Sequence, residues 1–462
     1  MSQETRNNAS RREFLKNTGR IAAASALAGA VIPSVHAAEN NTIQVALIGC
    51  GGRGTGAAAD ALNTSKGPVK LVAMADAFKD RLDSSHGALA KQFADKFDVP
   101  DSRKFVGLDS YKSAIDSLKP GDVAIFASPL AFRWVHFDYA VKKGVNVFME
   151  KPLTADGPTS RRMIKIAEDA TAKNLKVGVG LMSRHSRALQ ELAKRIQDGE
   201  IGDIITMRGY RMHGPIVGFY GVKPAGMNEV EYQLRKFHAL IWASGGIFSD
   251  FLIHIIDHLC WMKNAWPTKA LALGGRQIRV TPEGVPCVDQ NFDNYSVEYS
   301  FDDGAKFIMD GRSMSGCQET YCSQIQGTKG LAIASKAGDC GLPSATYKGQ
   351  LAKKENLIWQ SKLTPEESNP YQNEWNDLMD AIRNDKPYNE AKRGVEASVV
   401  SSMGRVSAHT GREVTFEEML NNPLEYAPNL DKLTFDGPAP VMPDSCGKYP
   451  LPQPGIVTDR EC

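Results

Sequence analysis

The sequence predicts an α/β chain with two unlike sheets: first a doubly wound parallel sheet, then an α/β domain with an open, mostly antiparallel sheet. Three observations predict it. Val45-Ala46-Leu47-Ile48 runs into the glycine turn Gly49-Cys50-Gly51-Gly52-Arg53-Gly54, small helix-tolerant residues follow, and a second apolar run from Leu71 to Ala75 ends on Asp76. Short unbroken apolar runs then alternate with helical stretches as far as Leu181, the pattern of buried parallel strands. From Ile204 onward polar and apolar residues alternate, as they do in strands with one covered face.

The first of these stretches carries the most chemistry. Gly49 permits a tight turn, Gly51 lets the backbone approach a pyrophosphate, and Gly54 lets the helix pack close to the strand. Gly52 and Arg53 complete the turn. The helix that begins there presents free N–H groups and a partial positive charge to an anion. Asp76 follows the turn by about twenty residues, where a carboxylate accepts both ribose hydroxyls. Strand, glycine turn, helix, strand and acid together predict a Rossmann dinucleotide-binding domain. A carboxylate at Asp76 repels a 2′-phosphate, so NAD is expected over NADP, although Lys79 and Arg81 offset part of that charge.

With 462 residues and a formal net charge of +2, the chain is long enough for two cores and has no electrostatic case for nucleic acid. No apolar run beyond the N-terminus is long enough to span a membrane. Ser10-Arg11-Arg12-Glu13-Phe14-Leu15-Lys16 is a twin-arginine export signal, followed by an alanine-rich apolar run from Ile21 to Ile32 and small residues around Val35-His36-Ala37. Residues 1–37 are therefore expected to be a leader, with the twin-arginine translocase as partner during export and the periplasm as destination. That route carries folded proteins, which suits a protein loaded with its nucleotide in the cytoplasm and holding it tightly. The eight cysteines are scattered and expected to stay free; only Cys317 and Cys322 are close in sequence, and their spacing fits no metal motif well.

The nucleotide domain is expected over 42–165. Helices are read at Lys79–Phe97, Ser110–Leu118 and Val135–Lys143, and strands at Asp122–Ala127 and Val145–Met149. The first strand ends on Ser128-Pro129 and the second on Glu150-Lys151-Pro152, and ligands sit at such carboxyl ends. Lys151 there is placed to polarise a hydroxyl or carbonyl oxygen. The second domain is expected over 166–420. It opens with a helix at Ser160–Lys173 and a strand at Val177–Leu181, with Arg184 and His185 just past that strand's end. Helix Arg187–Gln197 and the turn Gly199–Gly202 follow. Alternating strands are read at Ile204–Met212, Ala270–Gly275, Ser296–Phe301, Lys306–Asp310 and Ser323–Gly327. A long loop, Gly214–His238, separates the first two, and its Tyr220, Tyr232, Arg235 and His238 suit sugar contacts.

Gly245-Gly246 opens an apolar helix carrying Asp250, His254, Asp257 and His258. Asp250 and His254 share a face, and Asp257 and His258 extend it by a turn. Buried polar groups need partners. Three readings account for them: a helix lining an active site with His254 as general base, a metal site built on His254 and His258, or satisfied core histidines. Two further helices are read at Asn373–Asn384 and Gly394–His409, packed on the nucleotide domain with no chemistry of their own. A proline-dense arm, 421–462, closes the chain as an extended segment laid over its own or a neighbour's surface.

Taken together, the glycine turn, Glu150-Lys151-Pro152, Gly199–Gly202, and Gly245-Gly246 followed by Asp250 and His254 resemble the glucose–fructose oxidoreductase, inositol dehydrogenase and rhizopine-catabolism (Gfo/Idh/MocA) oxidoreductases over about Thr42 to Leu420. The leader resembles that of the exported branch. The resemblance implies a Rossmann domain followed by an open-sheet domain that often builds homodimers or homotetramers. It implies Lys151, Asp250 and His254 as the catalytic group. No metal is expected, because a third well-spaced ligand motif is lacking. By the family's pattern Glu150 touches the cofactor side, and Ser128 and His136 lie along the same cleft and are read as cofactor contacts. Arg184 and His185 follow a strand where relatives place cofactor or substrate contacts, Arg184 being read for the cofactor and His185 for the substrate. His258, on the helix face of Asp250 and His254, is read as a further substrate contact. A sugar, glycoside or related polyol is the implied substrate, with hydride transfer to a retained nicotinamide cofactor, His254 taking the hydroxyl proton, Asp250 holding its ring and Lys151 steadying the oxyanion. Two alternatives stay open at this level: an NAD-dependent glycoside hydrolase working through a transient 3-keto intermediate, and a non-catalytic sugar-binding protein that keeps NAD structurally.

Overall fold

A computed structural model describes residues 41–215, 220–281 and 284–462; the expected leader, 1–37, lies outside the described residues. The first sheet is built from the unbroken apolar runs, whose residues have no face to give to water. Its elements are β1 (Ile43–Ile48), α1 (Gly52–Leu62), β2 (Val69–Asp76), α2 (Lys79–Gln92), β3 (Lys104–Val106), α3 (Ser110–Asp116), β4 (Val123–Phe126), α4 (Arg133–Lys143), β5 (Asn146–Met149), α5 (Gly157–Ala172) and β6 (Val177–Val179). The strand order is β3-β2-β1-β4-β5-β6 and every pairing is parallel. The order reverses between β1 and β4, and a ligand crevice opens at such a switch point. The sequence assigned the strand from Val177 to the second domain; it is instead the sixth strand of the first sheet, paired with β5 at Val147↔Val177.

The chain then builds α6 (Arg187–Gln197), β7 (Ile204–His213), α7 (Glu229–Arg235), α8 (Ile241–Ser244), α9 (Gly246–Lys263), β8 (Lys269–Gly275), β9 (Asn294–Ser300), β10 (Lys306–Ser313), β11 (Thr320–Gly327), β12 (Gly330–Ser335), β13 (Ala345–Lys348), β14 (Leu357–Gln360), α10 (Pro370–Arg383), α11 (Ala391–Thr410), β15 (Val414–Thr415) and α12 (Phe416–Asn421). Among the described residues nine strands form a second sheet, β14-β13-β12-β11-β7-β10-β9-β8-β15, in which only the β7–β10 pair runs parallel. The mostly antiparallel sheet matches the alternation in the sequence. The last strands were not legible there, because β12 is buried on nearly every residue and β15 is only two residues long.

Helix α9 lies against the inner face of this sheet, and two glycines let it come close. A Cβ at Gly209 of β7 would stand 2.4 Å from Ile255, and one at Gly311 of β10 would stand 2.4 Å from Leu252. The helix is apolar almost all round and correspondingly buried. Helix α10 returns to the first domain, where Trp375 packs on Phe148 with ring centroids 4.5 Å apart. No described helix is long and apolar enough to cross a membrane. All eight cysteines are unpaired thiols.

The inserted segment and the arm are less loop-like than the sequence suggests. Asn228 caps α7 by accepting from Val230 N at 2.8 Å. Tyr220, Tyr232 and Trp242 then pack with Ala427, Leu430 and Tyr449 of the arm and with Phe78, Ala131 and Phe132 of the nucleotide domain. The arm lies on its own molecule, and Glu461 ends up 2 % exposed. Its carboxylate clasps the Arg405 guanidinium at 2.9 and 3.0 Å and meets His409 Nδ1 at 2.8 Å. Arg405 in turn donates to Gly245 O at 2.9 Å and Ser249 Oγ at 2.8 Å, at the start of α9.

Burial pushes the Glu461 carboxyl up, but Arg405 and His409 outweigh it and hold the group below the ordinary carboxylate range. Removing one partner of a buried pair strands the other. Glu461→Ala is therefore expected to destabilise the protein by about 3–5 kcal/mol, read as a fall in the thermal midpoint at pH 7. Because the folded pKa is depressed, the stabilisation is present above the unfolded value of about 4.3 and fades as pH falls below it. The gap between variant and wild type is expected to narrow on acidification; a gap that stays constant with pH would contradict this account.

Candidate active site

The crevice at the switch point continues into a cleft of about 900 Å³ between the carboxyl ends of the first sheet and the start of α9. At Gly49 (φ +95°) a Cβ would stand 2.5 Å from Ser128 N, and at Gly54 it would stand 1.9 Å from Gly49 O. These two glycines make the turn possible. At Gly51 and Gly52 a Cβ would meet nothing within 4 Å, so the backbone there faces open space. No side chain caps α1 and its first turn holds no acid, which leaves its N–H groups free for an anion. Asp76 lines the cleft at the end of β2, one oxygen accepting from Cys50 N at 2.6 Å and the other from Phe78 N at 2.8 Å. The open glycine backbone, the uncapped helix and the oriented carboxylate fit a dinucleotide: pyrophosphate at α1 and ribose at Asp76.

Arg53 is in the turn but does not present its charge freely. It pairs with Glu150 at 2.9 Å and Asp60 at 3.2 Å, and lies 4.8 Å over the Tyr371 ring. Ser128 and His136 both line the cleft, joined at 3.2 Å through Oγ and Nδ1. Burial pushes His136 down to about 3, so it is neutral.

Lys151, Asp250 and His254 meet at the far end of the cleft. Lys151 Nζ lies 3.1 Å from Asp250 Oδ1 and also donates to the Asp250 main-chain carbonyl. The other carboxylate oxygen, Oδ2, lies 3.0 Å from His238 Nε2. Burial pushes the Asp250 carboxyl up, but Lys151 and His238 outweigh it and hold it below the ordinary range. Asp250 therefore holds the ring of His238, not that of His254 as the sequence suggested. His254 Nδ1 is buried without a hydrogen-bond partner, and burial pushes the ring down to about 3.

Six residues assigned to cofactor or substrate do not reach the cleft. Arg184 is the partner of the fully buried Asp257, at 2.7 and 2.8 Å, and ties the turn after β6 to α9. His185 sits between Asp377 at 2.7 Å and Glu390 at 3.2 Å. His258 is fully buried, 2.9 Å from Ser323 Oγ. Asp257 and His258 thus leave the site rather than extend its face. Tyr232 is buried in the inserted segment, its hydroxyl donating to Gly221 O. Arg235 lies at the outer rim, paired with Asp80 at 3.1 Å and stacked 4.0 Å over Phe78. Tyr220 is likewise buried outside the cleft.

Other residues were missed. Arg211 of β7 lines the cleft, donates to Phe251 O at 2.6 Å and lies 4.6 Å over the Tyr321 ring. Arg133 lines it too, almost fully buried, with Nη1 donating to Phe126 O at 2.8 Å. Tyr371 comes from α10, a helix read as having no chemistry. Nothing local marks these residues; Arg211 sits in an ordinary alternating strand. Among the described residues no cluster of three or more His, Cys, Asp and Glu is placed to hold a metal ion.

Two family models match, both from one family: "Oxidoreductase family, NAD-binding Rossmann fold" over residues 43–181 and "GFO/IDH/MocA C-terminal domain" over 189–333. The chain belongs to the Gfo/Idh/MocA family. An inositol 2-dehydrogenase of Corynebacterium glutamicum is 24% identical over 148 residues, 32% of this chain and 41% of that protein. The match thus spans about two fifths of that relative's length. The crystal structure of myo-inositol 2-dehydrogenase from Lactobacillus plantarum superposes with a TM-score of 0.58 at 23% identity, covering 81% of this chain and 99% of that one. An aldose–aldose oxidoreductase from Caulobacter crescentus gives 0.61 at 16% identity, covering 81% and 100%. At these identities the structures share the family fold.

Behind Arg53, Glu374 of α10 is buried with neither oxygen hydrogen-bonded. Burial, then the facing Glu150 carboxylate, pushes its pKa well above the ordinary value. The folded state thus favours the neutral acid, and wild type loses stability as pH rises from about 4.3 through the folded pKa. Glu374→Gln, which mimics the neutral acid, is expected to match wild type near pH 5 and exceed it near pH 8 in thermal unfolding. A variant less stable at pH 8 would show that the ionised carboxylate is needed.

Proposed function

We propose that the chain is an NAD-dependent dehydrogenase that oxidises one carbinol of a cyclic polyol or sugar and holds its cofactor through the cycle. The observation that carries this reading is the meeting of Lys151 and Asp250 with two histidines in the same cleft as the open glycine turn. A nicotinamide ring bound there supplies the hydride acceptor. Lys151, positioned by Asp250 at 3.1 Å, steadies negative charge as it develops on the substrate oxygen. His238 and His254 flank that pair and offer acceptors for the hydroxyl proton. Phe237 and Phe251 line the cleft with the flat apolar surface that suits the C–H face of a ring substrate. The relatives named inositol dehydrogenase and aldose–aldose oxidoreductase support the substrate class. The glycoside-hydrolase and binding-only readings draw no support from them.

Asp76 supports NAD over NADP, since its carboxylate repels a 2′-phosphate. Lys79 is engaged by Asp83, which leaves Arg81 as the nearby cation in the cleft. Retention is supported by a bridge across the adenosine end: Arg235 pairs with Asp80, and Arg81 donates to Arg235 O at 3.2 Å. An exported enzyme meets no free nicotinamide pool, so the proposed leader and the proposed retention support each other. Leu271 and Leu273, 55% and 78% exposed on β8, support pairing with further copies.

Denaturing the purified protein is expected to release about one nicotinamide dinucleotide per chain, identified by mass. An empty protein that takes up NAD weakly would overturn retention. Asp76→Ser is expected to weaken NAD at least about tenfold in a titration and to narrow its preference over NADP. Lys151→Met is expected to lower kcat about 10²–10³-fold on the inositols and aldoses that wild type oxidises, with dinucleotide content unchanged.

A further inference from the structure

We infer that Arg211 is a carboxylate-binding residue at the substrate end of the cleft, and that the sugar oxidised there carries a carboxylate, as a uronic acid does. The inference rests on the oxidoreductase reading and narrows its substrate to an anionic member of the class.

The deeply placed arginines divide into two kinds. Arg184, Arg276 and Arg405 each clasp a carboxylate, of Asp257, Asp289 and Glu461, at 2.7–2.9 Å. Arg211 and Arg133 have no described carboxylate at hydrogen-bond distance, and both line the cleft. A guanidinium withdrawn from water needs its donors met and its charge compensated. The two that lack this within the fold face the space a ligand enters.

The Arg211 fork opens onto that space. Nη1 donates to Phe251 O at 2.6 Å and Nε to His213 Nε2 at 3.4 Å, which leaves Nη2 without a bond to any described residue. Among the described residues the one carboxylate within 4 Å is Asp339, whose Oδ2 stands 3.8 Å from Nη1. That oxygen already accepts from the Tyr321 hydroxyl, and Asp339 does not line the cleft. The Tyr321 and Phe251 rings flank the guanidinium, 4.6 and 5.6 Å from Cζ, and fix where it points.

Phe251 follows Asp250 directly, and its ring also lies 5.3 Å from Lys151 Nζ. One aromatic ring therefore separates Arg211 from the lysine that steadies the reacting oxygen. A hexose laid over that ring, with its reacting carbinol at Lys151, carries an exocyclic carboxylate toward Arg211. The other charges at this end are engaged or absent. Asp250 holds Lys151 at 3.1 Å and His238 at 3.0 Å, and burial keeps His254 neutral. Arg133 adds a second positive charge, within reach of the Asp250 field. A planar fork of N–H donors matches a carboxylate. Asp339 behind Arg211 offsets part of its charge, so the place suits one negative charge rather than the two of a phosphate. The carboxylate is a handle: it stays unreacted while the carbinol gives up its proton and its hydride.

The test uses the holoenzyme and reads single-turnover reduction of its bound cofactor by D-glucuronate, D-galacturonate, D-glucose, D-galactose and D-glucose 6-phosphate. Wild type is expected to prefer each uronate to the matching neutral sugar by about 10–100-fold in second-order rate constant, the range that one charge-assisted pair supplies. Arg211→Met is expected to bring that ratio to about one, chiefly through apparent affinity, with dinucleotide content unchanged as the sign that it folds. Arg211→Lys keeps the charge without the fork and is expected to retain only part of the preference, so it carries the test where the Met variant loses its dinucleotide. Uronates oxidised no faster than neutral sugars, a ratio unchanged by either substitution, or a preference for the phosphate overturns the inference and leaves the oxidoreductase reading standing. Calorimetry on the holoenzyme with its cofactor reduced reads binding without turnover, and D-glucuronate is expected to bind at least about tenfold more tightly than D-glucose. Wild type inert on every sugar, with that selective binding present and lost in Arg211→Met, would refute the oxidoreductase reading while leaving the carboxylate site established.

Discussion

The site depends on one carboxylate. Asp250 carries Lys151 on one oxygen and His238 on the other, so a strand end of the first domain and an inserted segment of the second converge on one residue of α9. A carboxylate buried this deeply needs compensation from both partners. Two cations or donors around one anion also fix each other's orientation more tightly than either pair would alone. The position of Asp250 is set in turn by how close α9 lies to the sheet, which Gly209 and Gly311 permit.

Further from the cleft, the same device recurs as scaffolding. Arg184 with Asp257, His185 with Asp377 and Glu390, and Arg405 with Glu461 are buried or nearly so, and each joins elements far apart in the chain. Such pairs add little net stability over apolar packing, but breaking one is costly. Their effect here is register: Arg405 reaches the carbonyl of Gly245 and the hydroxyl of Ser249, the last turn before Asp250. The arm therefore shapes the helix that bears the chemistry without touching the cleft.

Much of the architecture was legible because its causes are local. The glycine turn, the apolar runs of the parallel sheet and the alternation of the second sheet depend on neighbours within a few residues. Lys151 was legible because it stands at the end of a recognisable strand. Arg184, His185 and His258 were misassigned because a polar residue on an apolar element looks the same whether it faces a ligand or a partner. Arg184 finds Asp257 only across the fold. Arg211, Arg133 and Tyr371 were missed for the converse reason, since nothing around them in the chain marks a cleft.

By itself the sequence determined the two-sheet α/β plan, the dinucleotide turn and the presence of Lys151, Asp250 and His254 at spacings that suit a site. Periodicity, glycine placement and strand ends act at short range, so they can be read from the chain alone. Tertiary structure decided which histidine Asp250 holds, where the inserted segment and the arm come to rest, and that β6 completes the first sheet. Those outcomes turn on contacts between residues far apart in sequence: a buried charge finding its partner at Asp250, apolar packing under the segment and the arm, and backbone pairing of β6 with β5.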